Sequence, residues 1–181
     1  MLRKIRKWII HYLISREIRR NTRIKRHLDF DKVRTVGVLF LLEDEAHFNQ
    51  LNRLVKGLIE KGKEVKMLGY FPGKIIPNFF IQKLKIDLIT NKEINLFGLP
   101  KSEKAKAFIQ QGFDILIDFT TDEVSVIDYI CGMSQAHFKA GRYRNDMVKV
   151  FDLMIRNKQG TDFNTFIKTT IEYLSILNTT K

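Results

Sequence analysis

Thr35-Val36-Gly37-Val38-Leu39-Phe40-Leu41-Leu42 is an unbroken apolar run, bounded by Arg34 on one side and by Glu43-Asp44-Glu45 on the other. A run of this length without polar alternation is what a strand covered on both faces requires, and such strands belong to the middle of parallel sheets. Asp44 is placed to cap the helix that follows. In that helix Phe48, Leu51, Leu54, Val55, Leu58 and Ile59 recur at helical spacing, and Gly62 stands where it should stop. Glu64 to Phe71 reads as the next strand. Together these segments make one strand–helix–strand crossover, whose expected hand is right.

Working outward, the next clear strand is Phe113-Asp114-Ile115-Leu116-Ile117-Asp118-Phe119. Between them, Pro72-Gly73 and Pro77 break regular structure, so the pattern predicts a loop from Pro72 to Thr90 with a short helix around Phe79 to Leu84. A short third strand is expected at Glu93 to Phe97, then a helix from Ser102 to Ile109 closed by Gly112. Beyond Phe119 the pattern predicts a helix from Glu123 to Met133 and strands at His137 to Ala140 and Phe151 to Ile155. A last helix is expected from Phe163 to Leu177. Alternating strands and amphipathic helices give an α/β fold, a three-layer, doubly wound sandwich around a mostly parallel sheet of five or six strands. At 181 residues the chain has the length of one folded domain, expected over 31–181, preceded by a basic helix and linker over 1–30.

The charge is lopsided. Residues 1–26 hold ten cations against one acid, Glu17, so nine of the twelve net positive charges fall there and the body is nearly neutral. The cations are Arg3, Lys4, Arg6, Lys7, Arg16, Arg19, Arg20, Arg23, Lys25 and Arg26. Leu2, Ile5, Ile9, Tyr12 and Leu13 fall on one helical face, with the cations around the remainder, and Asn21-Thr22 is the expected helix end. Three readings are open. The stripe docks on the domain and the charges are merely solvated; the cations meet the phosphates of a nucleic acid; or the helix lies among anionic lipid headgroups. Seven arginines against three lysines lean toward phosphate, because a guanidinium binds an oxyanion through two parallel hydrogen bonds.

Chemistry is harder to find. Ligands of a doubly wound sheet sit at the C-terminal ends of its strands, where the sequence offers Asp44, Thr120, Thr121, Asp122 and Arg142 as a possible pocket for a small polar or anionic ligand. The competing reading makes Asp44 and Asp122 helix caps and Arg142 a counter-ion. After Leu42 the turn is Glu-Asp-Glu-Ala, with carboxylates where a pyrophosphate would need glycines and bare amides, and no glycine loop of the nucleotide-binding kind follows any strand. No cofactor is expected. The four histidines and single cysteine lack metal-ligand spacing, so no metal is expected either, and Cys131 falls on an apolar helix face. One cysteine excludes a disulfide within the chain, and Trp8 to Ile14 is too short to span a bilayer; the expected compartment is the cytoplasm.

Phe113 to Phe119, the helix after it, and Ser134-Gln135-Ala136-His137-Phe138-Lys139-Ala140-Gly141-Arg142-Tyr143 resemble a family of small, basic bacterial proteins bearing a domain of unknown function. The turn Phe97-Gly98-Leu99-Pro100-Lys101 and the segment Phe151-Asp152-Leu153-Met154-Ile155 extend the resemblance over about residues 30–175, and it implies no activity. The same segment is distantly similar to the N-terminal Rossmann-like half of heptosyltransferase-type glycosyltransferases. Those enzymes bind the nucleotide-sugar mainly in a second Rossmann half, for which these residues have no counterpart, so the similarity implies a Rossmann-like fold and not glycosyl transfer. The expected function is non-catalytic RNA binding, on ribosomes or their precursors, through the cationic helix. The alternatives are a peripheral membrane protein anchored by that helix, and an enzyme using the strand-end pocket. Oligomeric state is open.

Overall fold

The computed structural model describes residues 12, 14–80, 85–156, 158 and 160–177. The apolar run forms β1 (Thr35–Leu41), with β2 (Glu64–Phe71) on one side and β4 (Ile115–Asp118) on the other. Adding β3 (Ile86–Thr90), β5 (Phe138–Arg142) and β6 (Leu153–Ile155) gives the order β3-β2-β1-β4-β5-β6. Every neighbouring pair is parallel, and Val38 stands opposite Met67 and Ile117. This is the doubly wound Rossmann-like arrangement: the chain winds outward through β2 and β3, returns beside β1, and winds the other way through β5 and β6.

Among the described residues there are five α-helices: α1 (residues 14–20), α2 (Glu45–Glu60), α3 (Glu103–Gln110), α4 (Ser125–Met133) and α5 (Phe163–Ile176). Side chains leave β1 alternately in two directions. Val36, Val38, Phe40 and Leu42 join Phe48, Leu51, Val55 and Leu58 of α2 and Phe166 and Leu174 of α5 in one core. Leu39 turns to the opposite face, where Phe108 of α3 and Ile127, Ile130 and Cys131 of α4 fill a second. Asp44 caps α2, its Oδ1 accepting from the His47 N–H at 2.8 Å. Gly62, at φ +78°, ends that helix in the left-handed conformation that costs glycine nothing.

One strand lies elsewhere than the pattern predicts. The third strand is Ile86–Thr90, inside the stretch read as a loop, and not Glu93 to Phe97. Asp87 breaks the apolar run, but β3 is an edge strand and the carboxylate reaches Lys66 of β2 at 3.9 Å. Glu93 belongs to a short 3₁₀ turn whose carboxylate accepts from the Thr90 N–H at 2.9 Å and pairs with Lys104 at 2.8 Å. Leu96 and Phe97 are exposed in the loop that follows. Of the short helix expected around Phe79 to Leu84, residues 81–84 lie outside the described residues, while the Phe80 ring packs 5.4 Å from Phe48.

Gly69 of β2 faces the Phe40 ring so closely that a Cβ built there would stand 2.4 Å from Cζ. Gly69→Ala is therefore expected to overpack the core and cost about 1–3 kcal/mol. Urea denaturation would read this as a lower midpoint at constant slope; an unchanged midpoint would mean that Phe40 has room to move.

Candidate nucleic-acid interface

The basic segment does not hang free. Ile14 of α1 is buried, and Ile18 rests on Gly132 of α4, where a Cβ would meet its side chain at 2.4 Å. The helix ends at Arg20, and Asn21 fixes the chain there: its amide nitrogen donates to the Gly132 carbonyl at 2.9 Å, and its Oδ1 accepts from Gln135 at 2.8 Å. Farther on, the Arg26 N–H donates to the His137 carbonyl, and the His137 ring bonds the Ile24 carbonyl through Nδ1 at 2.9 Å. Among the described apolar residues of the arm, Ile18 packs on α4 and Ile14 is buried. Of the stripe read from sequence, Leu2, Ile5, Ile9 and Leu13 lie outside the described residues, and Tyr12 is half-exposed.

Between those fastenings sits Arg23, whose side chain is 6% exposed. Its guanidinium donates to the carbonyls of Ala136, His137 and Val150 at 3.3, 2.9 and 3.3 Å and to Asp152 Oδ2 at 2.5 Å. Asp152 also accepts from the Lys139 N–H at 2.9 Å and pairs with Lys25 at 3.1 Å through its other oxygen. Arg23, expected among the phosphate ligands, is spent on holding the linker to the sheet, because only a planar group with donors at both ends reaches three carbonyls and a carboxylate at once.

The remaining described cations divide cleanly. Arg16, Arg19, Arg20 and Arg26 are exposed and make no ion pair among the described residues, while Lys25 shows most of its side chain despite its bond to Asp152. Arg3, Lys4, Arg6 and Lys7 lie outside the described residues. What the structure assembles is a ridge of Arg16, Arg19 and Arg20 on α1, followed by Arg26 in the linker, none of them in an ion pair among the described residues and all held to the body at several points.

Of the five strand-end residues, Arg142 and Thr121 meet directly, while Asp44 and Thr120 make local bonds and Asp122 lines a cleft. Asp44 caps α2, and His47 lies 3.0 Å from Glu43 and 3.2 Å from Asp44, its ring tilted against that of Phe163 with centroids 4.5 Å apart. Thr120 is buried, and its N–H donates to Asp118 Oδ1 at 2.9 Å. Arg142 donates to the Thr121 carbonyl and so acts as a loop clasp, not as the counter-ion of an acid. Asp122 caps nothing, since the first turn of α4 follows Val124 without a side-chain cap. It lines instead an open cleft of about 780 Å³ together with Tyr70, Asn91, Asn95, Asp128 and Asp146. The cleft lies beyond Leu41 and Tyr70 at the ends of β1 and β2 and reaches the loop after β4, and so borders the β1–β4 boundary where the winding of the sheet reverses.

Sequence reading passed over Arg144, which joins Asp128 at 2.8 Å and Asp146 at 2.9 Å beside that cleft. Asp146 is two residues from Arg144, but Asp128 belongs to α4, and no local spacing could have brought it to the same guanidinium. Burial raises the pKa of Asp128 and pushes that of Asp118 up to about 6. It also pushes the Cys131 thiol up, which leaves a fully buried core residue and no nucleophile. Asp114 is held below its ordinary range against the pull of burial by the N–H groups of Arg34 and Thr35, each at 2.9 Å. Among the described residues no group of three or more His, Cys, Asp or Glu could hold a metal ion, and no helix is long and apolar enough to cross a membrane.

A family of unknown function, DUF6913, matches residues 3–177. The chain belongs to this family. No curated protein matches it in sequence. Among solved structures, this DUF6913 member is similar to a glycosyl transferase family 9 protein from Veillonella parvula DSM 2008. The two are 15% identical with a TM-score of 0.56, over 87% of this chain and 44% of the other, so the chain spans less than half the length of that protein. At that identity the likeness is one of fold, and it agrees with the doubly wound sheet and the distant similarity read from Phe113 to Tyr143.

Three outcomes follow for stability. Arg23→Gln leaves Asp152 and three carbonyls short of donors, and thermal or urea unfolding is expected to show a loss of about 3 kcal/mol. Arg16, Arg19 and Arg20, changed singly to Gln, should each stay within about 0.5 kcal/mol of the parent. For Asp118 the folded state binds the proton more tightly than the unfolded chain, with a pKa of about 6 against the ordinary 3.8. Stability is thus lost as pH rises between those values, and the ionised form is a cost above them. Asp118→Asn keeps an acceptor for Thr120 and should stabilise the protein at pH 7 by up to about 3 kcal/mol. The gain should shrink toward zero near pH 4; a gain independent of pH would sink this assignment.

Proposed function

We propose that the protein is a non-catalytic, cytoplasmic RNA-binding protein that associates with ribosomes or their precursors through its cationic N-terminal segment. The observation that carries this reading is the division of labour in that segment. One arginine, Arg23, is buried and fully engaged, while Arg16, Arg19, Arg20 and Arg26 are exposed and free of carboxylates among the described residues. Arg16, Arg19 and Arg20 lie on one helix at spacings of three and four residues, which sets them on one face as an array of cations. Holding the helix to the sheet also lowers the ordering cost of binding, since the ridge does not have to be fixed again when a phosphate backbone arrives. Phosphate contacts of this kind supply affinity and orientation without reading sequence.

The first experiment is a native lysate run on a density gradient at low salt. Migration with ribosomal subunits, abolished by ribonuclease, is expected. Purified protein should bind single-stranded RNA with a log–log salt slope of roughly −3 if the four described arginines each neutralise one phosphate. Arg16→Glu, Arg19→Glu and Arg20→Glu together should remove the binding while leaving the fold intact. Flotation with anionic vesicles, combined with a gradient position away from ribosomes, would overturn the RNA reading in favour of a membrane surface.

A further inference from the structure

Beneath the arginine ridge, where the linker crosses the end of α4, lies a pocket of about 230 Å³. Its polar lining is Asn21, Thr22, Arg23, Lys25, Lys139 and Lys149. The unusual member is Lys139. It stands on β5 facing the helix layer and is 1% exposed, so its ammonium is fully inside the protein. Two of its three protons go to the last carbonyls of α4, Cys131 at 2.6 Å and Gly132 at 3.1 Å. Among the described residues the third has no acceptor.

A lysine placed only to cap a helix end could do so from the surface, where water would solvate it. A buried charge is ordinarily paired. Here the nearby carboxylate, Asp152, is already taken by Arg23 and Lys25. With Arg23, Lys25 and Lys139 set against Asp152, the pocket keeps two positive charges in excess, and the exposed Lys149 at its mouth adds another. We infer that the pocket binds the phosphate group of a phosphate ester, which accepts the free proton of Lys139 and is held by Lys25 and Lys149. The volume accommodates a five-atom phosphate group with water beside it. Burial, reinforced by the positive charges of Arg23 and Lys25, lowers the pKa of Lys139 to about 8 against the opposing pull of Cys131 and Asp152. An arriving anion would relieve that penalty. No carboxylate lines the pocket, and the nearby Asp152 is already engaged by Arg23 and Lys25.

This inference rests on the RNA reading for its first source of ligand: a strand following the ridge would bring a phosphate over the mouth between Lys25 and Lys149. A free phosphomonoester would satisfy the same groups. Three probes separate these sources with the full-length protein at constant ionic strength: inorganic phosphate, followed by phosphorus NMR line broadening, and one RNA oligonucleotide with either a 5′-phosphate or a 5′-hydroxyl. Phosphate is expected to broaden in the presence of the parent protein and to compete with RNA. Lys149→Ala, an exposed change with no folding risk, should weaken both effects roughly tenfold, as expected for one hydrogen bond to a charged group. Lys139→Met should abolish the broadening, with circular dichroism checking that the fold survives.

Preference for the 5′-phosphorylated RNA would assign the pocket to a chain end, and equal binding of both would assign it to an internal phosphodiester. If RNA binds, depends on Arg16, Arg19 and Arg20, yet ignores inorganic phosphate and Lys149→Ala, the pocket is overturned and the RNA reading stands. If phosphate binds through Lys139 and Lys149 while RNA does not, the RNA reading falls and the pocket stands as a small-molecule phosphate site. Absence of phosphate broadening with the folded parent protein overturns the inference outright.

Discussion

Val36, Val38, Leu39 and Phe40 are each 1% exposed or less, and they leave β1 toward opposite faces of the sheet. Burying them contributes roughly 10 kcal/mol, and that gain exists only if helices cover both sides at once. The backbone of such a strand cannot reach water, so its N–H and C=O groups must pair with strands on both edges. Both conditions are met by parallel crossovers that wind outward in two directions, which puts β2 and β4 beside β1 and forces the reversal of winding between them. The cleft beyond Leu41 and Tyr70 is a geometric by-product of that reversal.

The second organising element is the pairing of Arg23 with Asp152. It converts a linker into a part of the sheet's edge, because one guanidinium supplies donors to Ala136, His137 and Val150 as well as to the carboxylate. Once Arg23 is inside, the neighbouring arginines inherit a fixed position without having to fold against anything themselves. Ile18 adds an apolar contact against the α4 side. Charge in this segment is therefore of two kinds, structural at Arg23 and available at Arg16, Arg19, Arg20 and Arg26. The two kinds lie within eleven residues of each other and look alike in composition.

The strand ends carry the opposite sign. Asp122, Asp128 and Asp146 face the large cleft with Arg144 between the last two, so a phosphate would find the cleft unfavourable and the Lys139 side of the molecule favourable. Opposite signs on two regions of a small domain orient it in the field of a charged partner before any contact forms. The expected quintet of Asp44, Thr120, Thr121, Asp122 and Arg142 is largely engaged by its own surroundings. Each was placed correctly at a strand end, but Asp44 and Thr120 turn to helix-cap and loop bonds, and Arg142 spends its donors on the Thr121 carbonyl.

Hydrophobic periodicity determined the order and type of the elements, the central position of β1 and the extent of α2, because burial on one or two faces imposes a spacing that the chain cannot disguise. Capping by Asp44 was legible for the same reason: the donor is three residues away, at His47. The edge strand β3 was not legible, since a strand with one free edge tolerates Asp87 and loses the continuous apolar signal. Nor could the sequence separate Arg23 from the arginines around it, or single out Lys139 among thirty-two cations. Their roles depend on partners more than a hundred residues away for Arg23, and on the depth at which β5 lies beneath the end of α4 for Lys139. Burial and charge balance are properties of the assembled molecule, and only tertiary packing decides which cations are sealed inside it and which remain for a partner.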